Sequence, residues 1–258
     1  GQESISAVEV NENIINALNQ QFGDFTGHLD QNPKVDFIHN EARSYIANSK
    51  ERFDIIQASL IDSWAATVAG AFVLTENSLY TVEAWENFLE HLTPNGILTF
   101  SRWYFYDQPG EIYRLTSLAV ASLKEFGVEN PREHIIITRR MGDDNRLDVP
   151  DGVGTILVSK EPFSDNDLDI IEDIVSKMEF ELVLSPRFAI DSNFAAIASG
   201  ENLEAFVKEF PINIAAPTDN SPFFFQMLRL KDIFNSSLWE QGKMTFNIKS
   251  VVIIGFLL

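Results

Sequence analysis

Apolar and polar positions alternate in short blocks along the chain, and the period of the blocks changes from two to between three and four and back. Ile5-Ser-Ala-Val-Glu-Val10 reads as a short strand that closes at Glu9. Residues 11–22 put Ile14, Ile15, Leu18 and Phe22 on one helical face, with Asn11 placed to cap it. A second strand is predicted at 35–38, followed by His39-Asn40-Glu41 and a short helix over 42–48. The apolar run 53–58 is a third strand, which opens into small and polar residues at Ser59, Asp62, Ser63 and Trp64. Ser78 or Thr81 can cap a helix reaching Leu92, apolar at Val82, Trp85, Phe88 and Leu89. Pro94-Asn95-Gly96 makes a turn, and a fourth strand over 97–100 ends at Ser101-Arg102-Trp103. Strand and helix thus alternate, which implies a parallel sheet with right-handed crossovers.

Further on, a helix is predicted over 111–126. Apolar strands at 134–138 and 154–158 are joined by a polar insert, 139–151, as in an extended hairpin. Ser164 can cap a helix over 165–178, a small strand follows at 181–184, and a helix at 203–210. In Pro217-Thr-Asp-Asn-Ser-Pro-Phe-Phe-Phe225 a turn framed by prolines leads into three phenylalanines. Either the turn drives an aromatic plug into the core, or it is a lid with Asp219 facing a ligand. The fold class expected is α/β, a mostly parallel sheet with a late antiparallel hairpin.

Composition narrows the function. A net charge of −19 argues against a nucleic-acid partner, which needs basic clusters. It fits a cationic substrate, or simply a solvated acidic surface. The absence of cysteine excludes disulfides, thiolate catalysis and cysteine-ligated zinc, and the four histidines show no metal spacing. The apolar run at 250–258 is shorter than the roughly 20 residues of a membrane span. It reads as the start of a truncated transmembrane helix, or else as a buried strand. Lys243 and Lys249 before it favour a cytoplasmic start.

In a parallel sheet the carboxyl ends of the strands share one edge, where ligands sit. Here the strands end in Glu9, in Asn40 and Glu41, in Ser59 and Asp62, and in Ser101 and Arg102. The series suggests one crevice. Glu9 can accept hydrogen bonds from ribose hydroxyls, or can be an exposed acid before a helix. Glu41 can take the exocyclic amine of adenine, or cap the helix after it. Asp62 is the candidate catalytic group, and Ser59 a weak base. Trp64 and Tyr80 can wall a cavity or a cation, although aromatic residues more often belong to the core. The glycine-rich turn of a nucleotide-binding half is missing, and it is expected, with the first strand, upstream of Gly1.

Four segments resemble the nucleoside-binding core of the spermidine synthase family: Ala7-Val-Glu-Val-Asn-Glu-Asn-Ile14, Asn40-Glu-Ala-Arg-Ser-Tyr-Ile46, Phe53-Asp-Ile-Ile56 and Leu92-Thr-Pro-Asn-Gly-Ile-Leu98. Ser59-Leu-Ile-Asp-Ser-Trp-Ala-Ala-Thr67, Thr75-Glu-Asn-Ser-Leu-Tyr-Thr81 and the 217–225 segment are similar to the spermidine synthase-like domain of bacterial multi-pass membrane proteins. The resemblance implies a Rossmann-like fold of the S-adenosylmethionine-dependent methyltransferase type. It implies a nucleoside-binding domain at 1–160, an extension at 161–242 packed on it, and the start of a membrane helix at 243–258. It implies a soluble domain on the cytoplasmic side of a bacterial inner membrane, and a small acceptor such as a polyamine. The cofactor would be S-adenosylmethionine or its decarboxylated form, bound by Glu9, Asn40, Glu41 and Ser59, with Trp64 and Tyr80 at the substrate. The activity implied is aminopropyl or methyl transfer; the alternative is a non-catalytic nucleoside-binding regulatory domain. A nicotinamide-dependent oxidoreductase shares the Glu9 logic and ranks last. The family carries an acidic pair after the third strand, and its first acid is the general base. Here that first position is Ser59, and only Asp62 is acidic.

Overall fold

A computed structural model describes residues 2–61, 75–142, 149–227 and 229. The chain divides into two compact units, Gly1–Arg52 and the part from Phe53 onward. The boundary expected at 160 falls inside the second unit.

In the first unit, β1 (Ile5–Glu9) and β2 (Val35–His39) pair in parallel, with Glu9 opposite His39. The connection holds α1 (Glu12–Asn16) and α2 (Gly23–Thr26). Asn11 caps α1, accepting from the Asn13 amide. The long helix predicted to Phe22 is broken: after Asn16 the backbone widens into a π-turn over Ala17–Gln21. Of the apolar face read there, Ile14, Leu18 and Phe22 are exposed and Ile15 is half-buried. α3 (Ala42–Asn48) follows β2.

The second unit is built on a five-stranded sheet in the order β3-β4-β6-β5-β7. Its strands are β3 (Phe53–Ser59), β4 (Leu92–Tyr104), β5 (Ile135–Met141), β6 (Gly152–Ser159) and β7 (Glu181–Leu184). β3 and β4 are parallel; β6, β5 and β7 add antiparallel, so the hairpin expected late in the chain forms the far side of the sheet. The turn read at Pro94 is an irregularity within β4: Phe53 pairs with Leu92 and Ile55 with Ile97, so the extra residues are absorbed there.

Among the described residues five α-helices accompany the strands: α4 (Val82–Glu90), α5 (Gly110–Glu125), α6 (Asp165–Lys177), α7 (Ser192–Ser199) and α8 (Leu203–Glu209). The β4 side chains alternate between faces, as the strand repeat requires. Leu98, Phe100, Arg102 and Tyr104 are almost fully buried on one face. Phe100 meets Trp85 of α4 at 4.9 Å between ring centroids. α5 packs on β4 and β6, with α4 and α7 beside it. A Cβ on Gly154 would lie 2.7 Å from Ile112 Cδ1, so glycine there lets α5 seat closely on β6 without displacing the Ile112 side chain. Ile55 is 47% exposed on the opposite face of β3.

The segment around 217–225 is the aromatic plug. Phe224 and Phe225 are buried, and Tyr80 stacks on Phe224 at 4.5 Å. Arg114 of α5 staples it, donating to the carbonyls of Ala215, Phe224 and Gln226 at 2.9, 2.7 and 2.8 Å. Burial and the nearby charge of Arg229 push the Arg114 guanidinium down to about 9, which leaves it a cation at neutral pH. Asp219 is tied to α4: the Thr81 hydroxyl donates to it at 2.7 Å, and its own amide donates to Glu83 at 2.9 Å.

Candidate functional site

The strand-end residues fall in both units. In the first, Glu9 closes β1 and its Oε1 accepts from the Asn11 amide at 2.8 Å. Oε2 has no protein partner among the described residues, and the side chain is half-buried. It is free to accept from the hydroxyls of a sugar. The Asn40 amide reaches the Glu9 carbonyl at 3.2 Å, and Asn40 Oδ1 accepts from the Glu41 amide at 2.8 Å. This pairing carries the β1–β2 register past the strand ends.

Glu41 is the N-cap of α3. Its two oxygens accept from the Arg43 and Ser44 amides at 2.9 and 2.8 Å. Partial burial pulls its carboxyl up, but those amides, the Ser44 hydroxyl and the Arg43 charge outweigh burial and hold it below the usual carboxylate range. Glu41 is therefore a fixed anion. The two amides and the Ser44 hydroxyl take three of its four lone-pair sites, so the cap leaves capacity for one more donor.

In the second unit, Ser59 pairs with Ser101 across β3 and β4, and Ser101 with Thr155 across β4 and β6. Their hydroxyls form a ladder, with Ser59 to Ser101 at 3.2 Å and Ser101 to Thr155 at 2.9 Å. The Gln57 amide also donates to Ser59 at 3.1 Å. A hydroxyl held in this way, with no acid or imidazole on it among the described residues, is a polar platform rather than a base. Asp62 and Trp64 lie outside the described residues.

Two residues read at this edge lie elsewhere. Arg102 alternates with Ser101 and so projects to the other face, where it is fully buried. Its Nε donates to Glu111 of α5 at 2.8 Å, and its guanidinium lies 4.7 Å from the centre of the Phe225 ring. Tyr80 is also fully buried, between Phe100, Phe224 and Phe225. The cation against its ring is Arg102, at 5.7 Å. Its surface is spent on the core and is not open to a substrate. Arg102, Glu111, Tyr80 and the phenylalanine plug form one buried cluster behind the platform.

Sequence reading missed the polar cluster beside α5. Tyr113 donates its hydroxyl to Asp191 at 2.8 Å, and Asp191 caps α7 through the Asn193 and Phe194 amides. Asp191-Ser-Asn before an apolar stretch was the signal available. Among the described residues no group of three histidines, aspartates or glutamates could hold a metal ion.

The fold is α/β and Rossmann-like, with parallel pairing first and antiparallel strands at the end. No family model matches the chain. It is 27% identical over 124 residues, 48% of its length, to the polyamine aminopropyltransferase of Buchnera aphidicola subsp. Acyrthosiphon pisum. The match covers 39% of that protein, so the chain spans about two fifths of the length of the curated relatives it matches. Among solved structures, spermidine synthase from Thermotoga maritima aligns with 81% of the chain and 61% of its own, at 17% identity and TM-score 0.46. A probable spermidine synthase from Corynebacterium glutamicum aligns with 76% and 61%, at 15% identity and TM-score 0.49.

Proposed function

We propose that the protein binds S-adenosylmethionine or its decarboxylated form and transfers a methyl or aminopropyl group to a small acceptor, such as a polyamine. The observation that carries this reading is the similarity to a polyamine aminopropyltransferase over 124 residues. The residues fit such a cofactor. Glu9 holds one carboxylate oxygen clear of its helix, where ribose hydroxyls can donate to it. Glu41 is a fixed anion able to accept from the adenine amine, and Asn40 sits between the two.

The cofactor supplies an electrophilic carbon on a sulfonium. The protein's part is to hold an acceptor in line with that carbon and to keep its lone pair free. A primary amine, with an ordinary pKa near ~10, must first lose a proton. The Ser59 platform cannot take it, so that task falls to Asp62, the acid left in the segment after β3. Trp64 stands beside it in sequence as a wall for the acceptor.

A second reading is a nucleoside-binding regulatory domain without turnover. The ladder favours it, because Ser59 stands where an acid would act and is engaged by Gln57 and Ser101. The two separate by product. With putrescine as acceptor, aminopropyl transfer forms a C–N bond, breaks a C–S bond and releases 5′-methylthioadenosine; methyl transfer releases S-adenosylhomocysteine. Asp62→Asn is expected to lower turnover roughly 10²-fold while sparing nucleoside binding. Binding without either product supports the regulatory reading, and unchanged turnover removes Asp62 from the mechanism.

Anchoring at a bacterial inner membrane, with the domain on the cytoplasmic side, belongs to the same proposal. Among the described residues no helix is long and apolar enough to cross a membrane, and 243–258 lies outside them. Carbonate-resistant membrane fractionation of the protein in cells tests it.

A further inference from the structure

A hollow of about 370 Å³ opens in the second unit between the loop after β4, the first turns of α5 and the end of α8. Its walls are aromatic: Tyr113, Phe206 and Phe210. Tyr113 and Phe210 meet edge to face at 5.5 Å, and Phe206 and Phe210 lie 5.6 Å apart. The rim carries Asp107, Gln108 and Glu209. The carboxylates of Asp107 and Glu209 are exposed and have no protein partner among the described residues.

The Tyr113 ring is held in place before any ligand arrives. The Tyr113 hydroxyl donates to Asp191 and accepts from Asn193 at 3.3 Å, so its ring cannot turn away. Arg229, the cation tied to α8, donates to the carbonyls of Val207 and Phe210 and so occupies the helix end rather than the hollow. An aromatic wall and carboxylates with no partner among the described residues, around one small hollow, suit a positively charged, weakly hydrated group. The faces attract it through their quadrupoles, and the carboxylates supply opposite charge.

We propose that this hollow binds an alkylammonium ion, with the cationic head against Tyr113, Phe206 and Phe210 and within the field of Asp107 and Glu209. The proposal goes beyond the transferase reading and uses none of Glu9, Ser59 or Asp62.

The test is calorimetric titration of the full chain with choline chloride and, in parallel, with 3,3-dimethylbutan-1-ol, its uncharged carbon isostere. Choline is expected to bind in the millimolar range, and the isostere at least tenfold more weakly. The double variant Asp107→Asn/Glu209→Gln alters only exposed side chains. It is expected to melt as the wild type does and to bind choline at least tenfold more weakly. Phe206→Leu tests the ring wall and is expected to weaken choline more than the isostere, whereas Glu9→Gln is expected to leave choline unchanged. No choline binding, equal binding of the isostere, or undiminished binding in the double variant overturns the proposal.

Discussion

Arg114 anchors the 215–226 segment through three carbonyls, that of Phe224 buried and those of Ala215 and Gln226 half-buried. A methionine there fills much of the volume and donates nothing. Each orphaned buried carbonyl costs on the order of 1–3 kcal/mol, so Arg114→Met is expected to lose about 3 kcal/mol or more in urea unfolding. Glu86 presents the opposite case. Burial raises its carboxyl, and so do Glu125, Glu83 and Glu90 around it. A carboxyl raised in the folded state favours folding while protonated, and that advantage is lost as pH rises through its folded pKa. Glu86→Gln is therefore expected to stabilise the protein by about 0.5 kcal/mol at pH 7, the scale of one or two like-charge helix pairs. The gain should vanish as pH falls below the folded pKa of Glu86; thermal melts at a series of pH values check both parts. Legibility at this scale was uneven. Glu41 could be read as a cap because a cap is a local event, made with amides two and three residues on. The Ser59–Ser101–Thr155 ladder could not, since its members lie 42 and 54 residues apart and only strand register unites them. Arg102 was misplaced for a reason the sequence contained: neighbours on a strand face opposite ways, so Ser101 and Arg102 cannot share one crevice.

Among the elements, α4 shows how the late turn acts. Thr81 caps the helix through the Ala84 amide at 3.2 Å and donates to Asp219, while the Val82 amide bonds the Pro217 carbonyl at 3.0 Å. The turn thus locks the start of the helix whose Trp85 and Phe88 pack on β4. Thr81→Ala is expected to cost about 1–2 kcal/mol, the upper range for a lost cap, because it also removes the hydroxyl that donates to Asp219. Thr81→Ser, which keeps the oxygen, should recover most of the loss in the same denaturant midpoint assay. Helices with an apolar stripe were legible: α4, α5 and α6 lie within two residues of their sequence-based bounds, with α4 stopping at Glu90 rather than Leu92. α7 was not, because its residues Ser192–Ser199 are mostly small and weakly patterned and its half-buried cap is shared with Tyr113 from far away in the chain. The break after Asn16 was not either, since nothing in the apolar spacing marks a π-turn.

At the level of the whole molecule the two units differ in how much they bury. Among the described residues of 1–52 only Gly23 and Ile46 are buried, while the second unit encloses Trp85, Phe100, Phe194 and Phe224 completely. Local stability follows buried apolar contact. Amides of β1 and β2 are expected to exchange through openings at least ~2 kcal/mol easier than those of β4 and β6, as read by native-state hydrogen exchange. Equal protection across the chain would show that the first unit is held by more than its own core. The α/β class and the late hairpin were legible because period-two and helical blocks alternate over long stretches. The division at Arg52 was not, since no composition shift marks it, and the expected extension past 160 proved to supply a strand, β7, to the same sheet.

The central claim is that this α/β protein binds a sulfonium nucleoside with Glu9 as a ligand. Calorimetric titration of the chain with S-adenosylmethionine, decarboxylated S-adenosylmethionine and NAD tests it most directly. Saturable binding of at least one sulfonium and none of NAD is expected, with about a tenfold or greater loss of affinity in Glu9→Gln, the scale of one charge-assisted hydrogen bond. No binding of either sulfonium, or binding of NAD in their place, would contradict it.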